Sequence, residues 1–165
     1  MSDTFVLRAA EPRDVPALVG LITELAEFER LTHLLQVTPE TLHPHLFGDK
    51  PVVEAQVAEV PGDSGPQVVA FALYFTNFST FLAKPGLYLE DLYVKPAFRR
   101  LGLGRALLQR LGAIAVERGY GRFEWSVLDW NDNAIRFYER MGATVLPDWR
   151  ICRVTGDALQ AFKAR

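Results

Sequence analysis

The chain has 165 residues, long enough for one domain with a sizeable core, and 49% of them are apolar against 23% charged, as in an ordinary soluble globular protein. A net charge of −2 with both signs interspersed leaves no electrostatic footprint for a nucleic-acid partner. No apolar run nears the ~20 residues that cross a bilayer, Met1-Ser2-Asp3-Thr4 lacks the basic-then-apolar order of a signal peptide, and the single Cys152 leaves no internal disulfide, which together point to a soluble cytoplasmic protein.

Phe5-Val6-Leu7-Arg8 reads as a first strand. Asp14 is placed to cap a helix in which Leu18, Leu21, Ile22 and Leu25 fall on one face. Thr38-Pro39-Glu40 is a cap followed by proline at the first helical position, and it starts a short second helix that Pro44 is expected to disturb. His33, His43 and His45 are close in sequence, but no cysteine or paired carboxylate completes a ligand set, so they read as solvated surface and no metal is expected.

Residues 52–59 and 67–75 are apolar, β-branched runs separated by Pro61-Gly62-Asp63-Ser64-Gly65-Pro66, the pattern of an antiparallel hairpin. A third central strand follows over 86–94. The next helix, 104–117, presents Leu107, Leu111, Ile114 and Ala115 on one face and ends at Gly119 and Gly121. Residues 122–128 read as a strand, 132–141 as a helix closed by Gly142, and 144–146 and 149–154 as two final strands, which would bury Cys152 as an unreactive residue. The order β-α-α-β-β-β-α-β-α-β-β predicts a single α/β domain over 1–165, a mixed sheet with helices on both faces.

Chemistry concentrates where the third central strand meets its helix. There the sequence runs Glu90-Asp91-Leu92-Tyr93-Val94-Lys95-Pro96-Ala97-Phe98-Arg99-Arg100-Leu101-Gly102-Leu103-Gly104-Arg105. A strand, a basic Gly-spaced turn and a helix start build an anion site from backbone: the turn gathers N–H groups and the helix adds the positive end of its dipole. Side chains at the glycines would hold a phosphate away from those N–H groups. The spacing is neither that of a dinucleotide fingerprint nor that of a P-loop. Alone, it also fits an ordinary strand-to-helix turn.

The pattern Arg99-x-x-Gly102-x-Gly104 resembles the pyrophosphate-binding signature of the GNAT N-acetyltransferases. A second segment, Trp130-Asn131-Asp132-Asn133-Ala134-Ile135-Arg136-Phe137-Tyr138-Glu139-Arg140-Met141-Gly142-Ala143, resembles the signature of the same family that follows it in the chain. The stretches at 24–29, 57–61 and 87–94 are similar to those of the diamine acetyltransferases, which include the spermidine/spermine and thialysine enzymes. The loop Leu146-Pro147-Asp148-Trp149 is shorter and less acidic than theirs.

The resemblance implies a GNAT fold, with a mostly antiparallel seven-stranded sheet and about four helices, and acetyl-CoA as co-substrate without a metal. It implies coenzyme contacts at Leu92, Tyr93, Val94, Arg99, Arg100, Leu101, Gly102, Leu103, Gly104, Arg105, Asn131, Asn133 and Ala134. Asn131 stands just before its helix, where its amide can cap backbone or hold a pantetheine group.

Acetylating an amine needs a neutral amine, a place for the charge that develops on the carbonyl oxygen, and a proton for the departing thiolate. Glu90, a carboxylate inside an otherwise apolar strand, is the candidate base, and by resemblance it relays the amine proton through water. Tyr138 is the candidate acid; an unperturbed phenol titrates at about 10. Tyr138 also shares a helix face with Ala134, Phe137 and Met141, so packing is an alternative role. The resemblance places N–H groups of Leu92 to Val94, at a bulge, against the developing oxyanion. Phe28, Glu29, Glu90, Asp91 and Asp148 are candidates to receive a cationic small-molecule amine. Protein or peptide N-acetylation and a non-catalytic acyl-CoA sensor are the alternatives. A homodimer is expected, with Phe75, Phe78, Phe81 and Leu82 compatible with pairing.

Overall fold

The computed structural model describes residues 5–164, without the side chain of Ala164, and divides the chain into two compact units that meet between Ser126 and Val127. The first unit holds β1 (Val6–Ala9), α1 (Val15–Phe28), α2 (Pro39–Phe47), β2 (Glu54–Val60), β3 (Gln67–Ser79), β4 (Lys84–Val94), α3 (Leu103–Glu117) and β5 (Phe123–Trp125). The second holds α4 (Asp132–Arg140) and the short α5 (Gly156–Gln160).

The sheet has the order β1-β2-β3-β4-β5; its first four strands are antiparallel and β5 joins β4 in parallel. The mixed, mostly antiparallel α/β sheet agrees with the sequence reading, but it has five strands among the described residues, not seven. The same residues form five α-helices, one more than the sequence reading gives. Residues 144–146 and 149–154 form no ladder, and α5 follows them. Apolar alternation alone does not make a strand; a neighbour must supply the inter-strand hydrogen bonds. Val145, Leu146, Trp149, Ile151 and Val154 are accordingly exposed, and so is Cys152, which is not the buried residue that a final strand would have made it.

Both faces of the sheet are covered. On one, Leu18 and Leu21 of α1 and Leu42 and Leu46 of α2 pack with Ala55, Val57, Phe71, Leu73 and Tyr93. On the other, α3 contacts β2, β3 and β4 and buries Leu103, Leu107, Leu108, Leu111 and Ile114. Two-residue strand periodicity and a 3.6-residue helix account for both sets. Each buried leucine contributes about 1.5–3 kcal/mol.

Thr38 caps α2 as its sequence predicts: its Oγ1 accepts the Thr41 N–H at 3.2 Å. Pro44 does not end α2, which continues to Phe47. Asp14 stands at the start of α1, yet its carboxylate does not cap that helix. It accepts the Glu11 N–H at 2.7 Å and pairs with Arg8 at 2.6 and 2.9 Å. His33, His43 and His45 are exposed, with the His43 ring against Phe47.

Candidate active site

The irregularity that shapes the site is in β4. Leu73 pairs with Asp91, but the next residue of β3, Tyr74, pairs with Leu89. Glu90 is therefore an extra residue in its strand, a β-bulge, and it is exposed. The parallel ladder to β5 runs from Leu87 only to Leu89, opposite Trp125, and stops where the bulge begins. This is why β5 is shorter than the predicted 122–128.

Beyond the bulge the strand is regular again. Lys95 N–H donates to Val69 O at 2.9 Å, so by antiparallel alternation Tyr93 and Asp91 also address β3. Leu92 and Val94 consequently turn their backbone groups the other way, on the side where the β5 ladder has ended. Arg99 Nε donates to the outward-turned carbonyl of Val94 at 3.0 Å. The bulge lies at Glu90, upstream of the 92–94 stretch to which the resemblance assigned it, and it frees the N–H groups of Leu92 and Val94.

A two-turn 3-10 helix, Pro96–Leu101, leads from β4 to Gly102. Gly102 has φ +78° and no side-chain cap replaces its missing donor or acceptor at the head of α3. That left-handed conformation strains any residue with a Cβ. The first-turn N–H groups of α3, from Leu103 to Arg105, have no partner within the helix. At Gly104 a Cβ would find only Val94 Cγ2, at 3.9 Å, from outside its own helix. Backbone donors, an open approach at two glycines, and flanking Arg100 and Arg105 fit a pyrophosphate. Arg99 stands over two aromatic rings, its guanidinium carbon 5.6 Å from the centroid of Phe28 and 5.5 Å from that of Tyr93.

Carboxylates gather where α1 ends. Burial first, then the charges of Glu90 and Glu29, pushes Asp91 up to about 6. Burial also raises Glu29. Phe28 is partly exposed beside them. The helix closes through Leu31 N–H to Ala26 O at 2.8 Å and Arg30 N–H to Glu27 O at 3.1 Å. Arg30 stands at φ +60°, a position glycine usually takes.

The second unit contains the other candidates. Asn131 Oδ1 accepts the Ala134 N–H at 3.3 Å and so caps α4. Asn133 Oδ1 accepts from Arg136 at 3.0 Å. Tyr138 is half-buried, its ring 5.6 Å from that of Phe137. Asp148 is exposed in an irregular segment. The structure thus brings Phe28, Glu29, Glu90, Asp91 and the 92–105 stretch together in one unit, and keeps Asn131, Asn133, Ala134, Tyr138 and Asp148 in the other.

The Acetyltransferase (GNAT) family profile matches residues 23–143, a stretch that runs through both units. Among characterised proteins, the chain is similar to L-ornithine N5-acetyltransferase NATA1 of Arabidopsis thaliana, 38% identical over 94% of this chain and 86% of that one. It is also similar to thialysine N-epsilon-acetyltransferase of Mus musculus, 35% identical over 96% and 97%. An integron cassette protein from the mobile metagenome of V. cholerae superposes with a TM-score of 0.80 at 23% identity, covering 99% of this chain and all of that one, a likeness of fold.

Proposed function

Because the chain belongs to the GNAT acetyltransferase family, and is an acyltransferase, we propose that it transfers an acetyl group from acetyl-CoA to a small primary amine. The observation that carries this reading is the bulge at Glu90. It leaves the N–H groups of Leu92 and Val94 turned away from β3, on the edge where the β5 ladder has ended, immediately before a Gly-spaced turn suited to a phosphate. Ornithine and thialysine, named for the relatives, both carry a primary amine at the end of a flexible side chain, as polyamines do.

When bound, acetyl-CoA supplies the activated acetyl group. The backbone N–H groups from Gly102 to Arg105, with Arg100 and Arg105, hold its pyrophosphate. Asn131, Asn133 and Ala134 line its pantetheine arm. Leu92 and Val94 N–H donate to the carbonyl oxygen and stabilise the charge that develops there. Glu29 and Asp91 attract the protonated amine. Glu90 takes its proton through a water, and Tyr138 holds the proton that the departing sulfur needs. Phe78, Phe81 and Leu82 are exposed at and beside the β3–β4 turn and serve the homodimer contact; Phe75 is half-buried against Tyr88.

A panel of acceptors tests the reading: ornithine, thialysine, lysine, spermidine and a short peptide, each with acetyl-CoA and with thiol release as readout. Turnover with the small amines is expected. Turnover with the peptide alone would assign peptide acetylation instead, and acetyl-CoA binding without turnover on any acceptor would make the chain a binding module.

A further inference from the structure

Arg99 opens the phosphate turn, and its sequence position invites a role as a ligand for the anion. Its surroundings give it another task. The Nε hydrogen is committed to Val94 O at 3.0 Å. The guanidinium lies over two rings, Tyr93 of β4 at 5.5 Å and Phe28 of α1 at 5.6 Å. One side chain therefore touches the last residue of α1, the end of β4 and the turn that leads to α3. Glu24, one turn before Phe28, ties the same two elements: its carboxylate is 3.5 Å from Lys95 Nζ, and it acts with burial to raise the Tyr93 phenol.

Each contact fixes something the reaction needs. The bond to Val94 O holds the peptide plane at the outer end of the strand whose N–H groups face the carbonyl. The cation–π contact with Phe28 holds the end of α1, beside which Glu29 and Glu90 both lie close enough to Asp91 to act on it. A planar guanidinium suits this, because it can stack and donate in its own plane at once, as an ammonium cannot.

We infer that Arg99 is a positioning residue that fastens the acidic, amine-receiving end of α1 to the coenzyme turn, rather than a ligand of the pyrophosphate. The inference rests on the reading of the chain as an acetyl-CoA-dependent amine acetyltransferase.

The test compares Arg99→Ala and Arg99→Lys with the unaltered protein, using acetyl-CoA and S-acetylpantetheine, which lacks the pyrophosphate. Arg99→Ala should leave acetyl-CoA affinity within about twofold and keep the preference for acetyl-CoA over S-acetylpantetheine, while KM for the amine rises about fivefold to twentyfold. Arg99→Lys should not restore that KM, since it returns charge but not the plane. Phe28→Ala should reproduce the rise, and adding it to Arg99→Ala should change little more. Loss of acetyl-CoA affinity by tenfold or more in Arg99→Ala, recovered in Arg99→Lys, would overturn the inference, as would an unchanged amine KM. Melting temperatures identify any variant that fails to fold. An unaltered protein that binds no acetyl-CoA would sink the underlying reading instead.

Discussion

Glu29, at the end of α1, and Asp91, on β4, lie within each other's electric field, and Glu29's charge adds to the burial and the Glu90 charge that hold Asp91 at about 6. The ordinary value is 3.8. Between those values the folded chain binds a proton that the unfolded chain has released, so stability falls as pH rises through this window. Above about pH 6 the cost of keeping Asp91 ionised is fully present, on the order of 2 kcal/mol or less.

Asp91→Asn should therefore raise the melting temperature at pH 7.5 and leave it nearly unchanged at pH 4. The same substitution should raise KM for a cationic amine at pH 7.5. In the unaltered enzyme, KM should climb as pH falls through about 6 and Asp91 loses its charge. A pH-independent melting difference between the two proteins would contradict this account of Asp91.

The Gly turn offers a cleaner test than its left-handed glycine. Any substitution at Gly102 strains the backbone, so lost binding there would not separate folding from recognition. Gly104 is helical, and valine is no worse than glycine in a helix. A Cβ there meets only Val94 Cγ2 from outside the helix, at ordinary contact distance. Gly104→Val should fold with an unchanged melting temperature and bind acetyl-CoA at least about thirtyfold more weakly, because the side chain occupies the approach to the N–H groups. Calorimetric titration giving unaltered affinity would remove the phosphate role of the turn.

Tyr138 and Glu90 separate chemistry from packing. Tyr138→Phe keeps the ring beside Phe137 and removes the proton; turnover should fall by about 10²–10⁴-fold with little change in acetyl-CoA affinity. Glu90→Gln should depress turnover most near neutral pH and recover in part at higher pH, where more amine is already neutral. A Tyr138→Phe protein with full turnover and a lower melting temperature would show a purely structural tyrosine.

Much of this was legible in the residues because it depends on local rules. The spacing of Leu18 and Leu21 marked the buried face of α1, Thr38-Pro39 marked the start of α2, and the Gly102-x-Gly104 turn appeared at the head of α3 where it was expected. What could not be read depends on partners distant in sequence. The extra residue at Glu90 is invisible in an apolar–polar pattern, since only the register against β3 reveals it. Part of Asp91's shift comes from Glu29, just past α1, and Arg99's place over an aromatic ring needs Phe28, the last residue of that helix. The two final strands failed for the same reason: residues 149–154 carry strand-like apolar content, but among the described residues no strand pairs with them.

Asp14 shows how a cap position can be put to another use, and it yields the last prediction. Burial alone would raise its pKa; the hydrogen bonds from Arg8 and from Glu11 N–H overcome this and hold it below its ordinary value. Asp14 is 4% exposed, and Arg8 also reaches Glu59 at 2.7 Å, so three charges share one partly buried knot joining β1, β2 and the start of α1. Asp14→Ala removes the acceptor of the Glu11 N–H and two of the guanidinium's hydrogen bonds, while Arg8 keeps Glu59 and the Ala9 carbonyl. Because Glu59 still neutralises Arg8, the loss should be about 2–3 kcal/mol, below that of a fully orphaned buried charge. The folded pKa is depressed, so Asp14's contribution is complete above its unfolded value of about 3.8 and is lost as pH falls through the folded one. Urea unfolding at pH 7 should show the full difference between Asp14→Ala and the unaltered protein, and the gap should narrow as pH drops below 4. An equal gap at pH 7 and pH 3 would mean that the carboxylate's charge contributes nothing and only its shape matters.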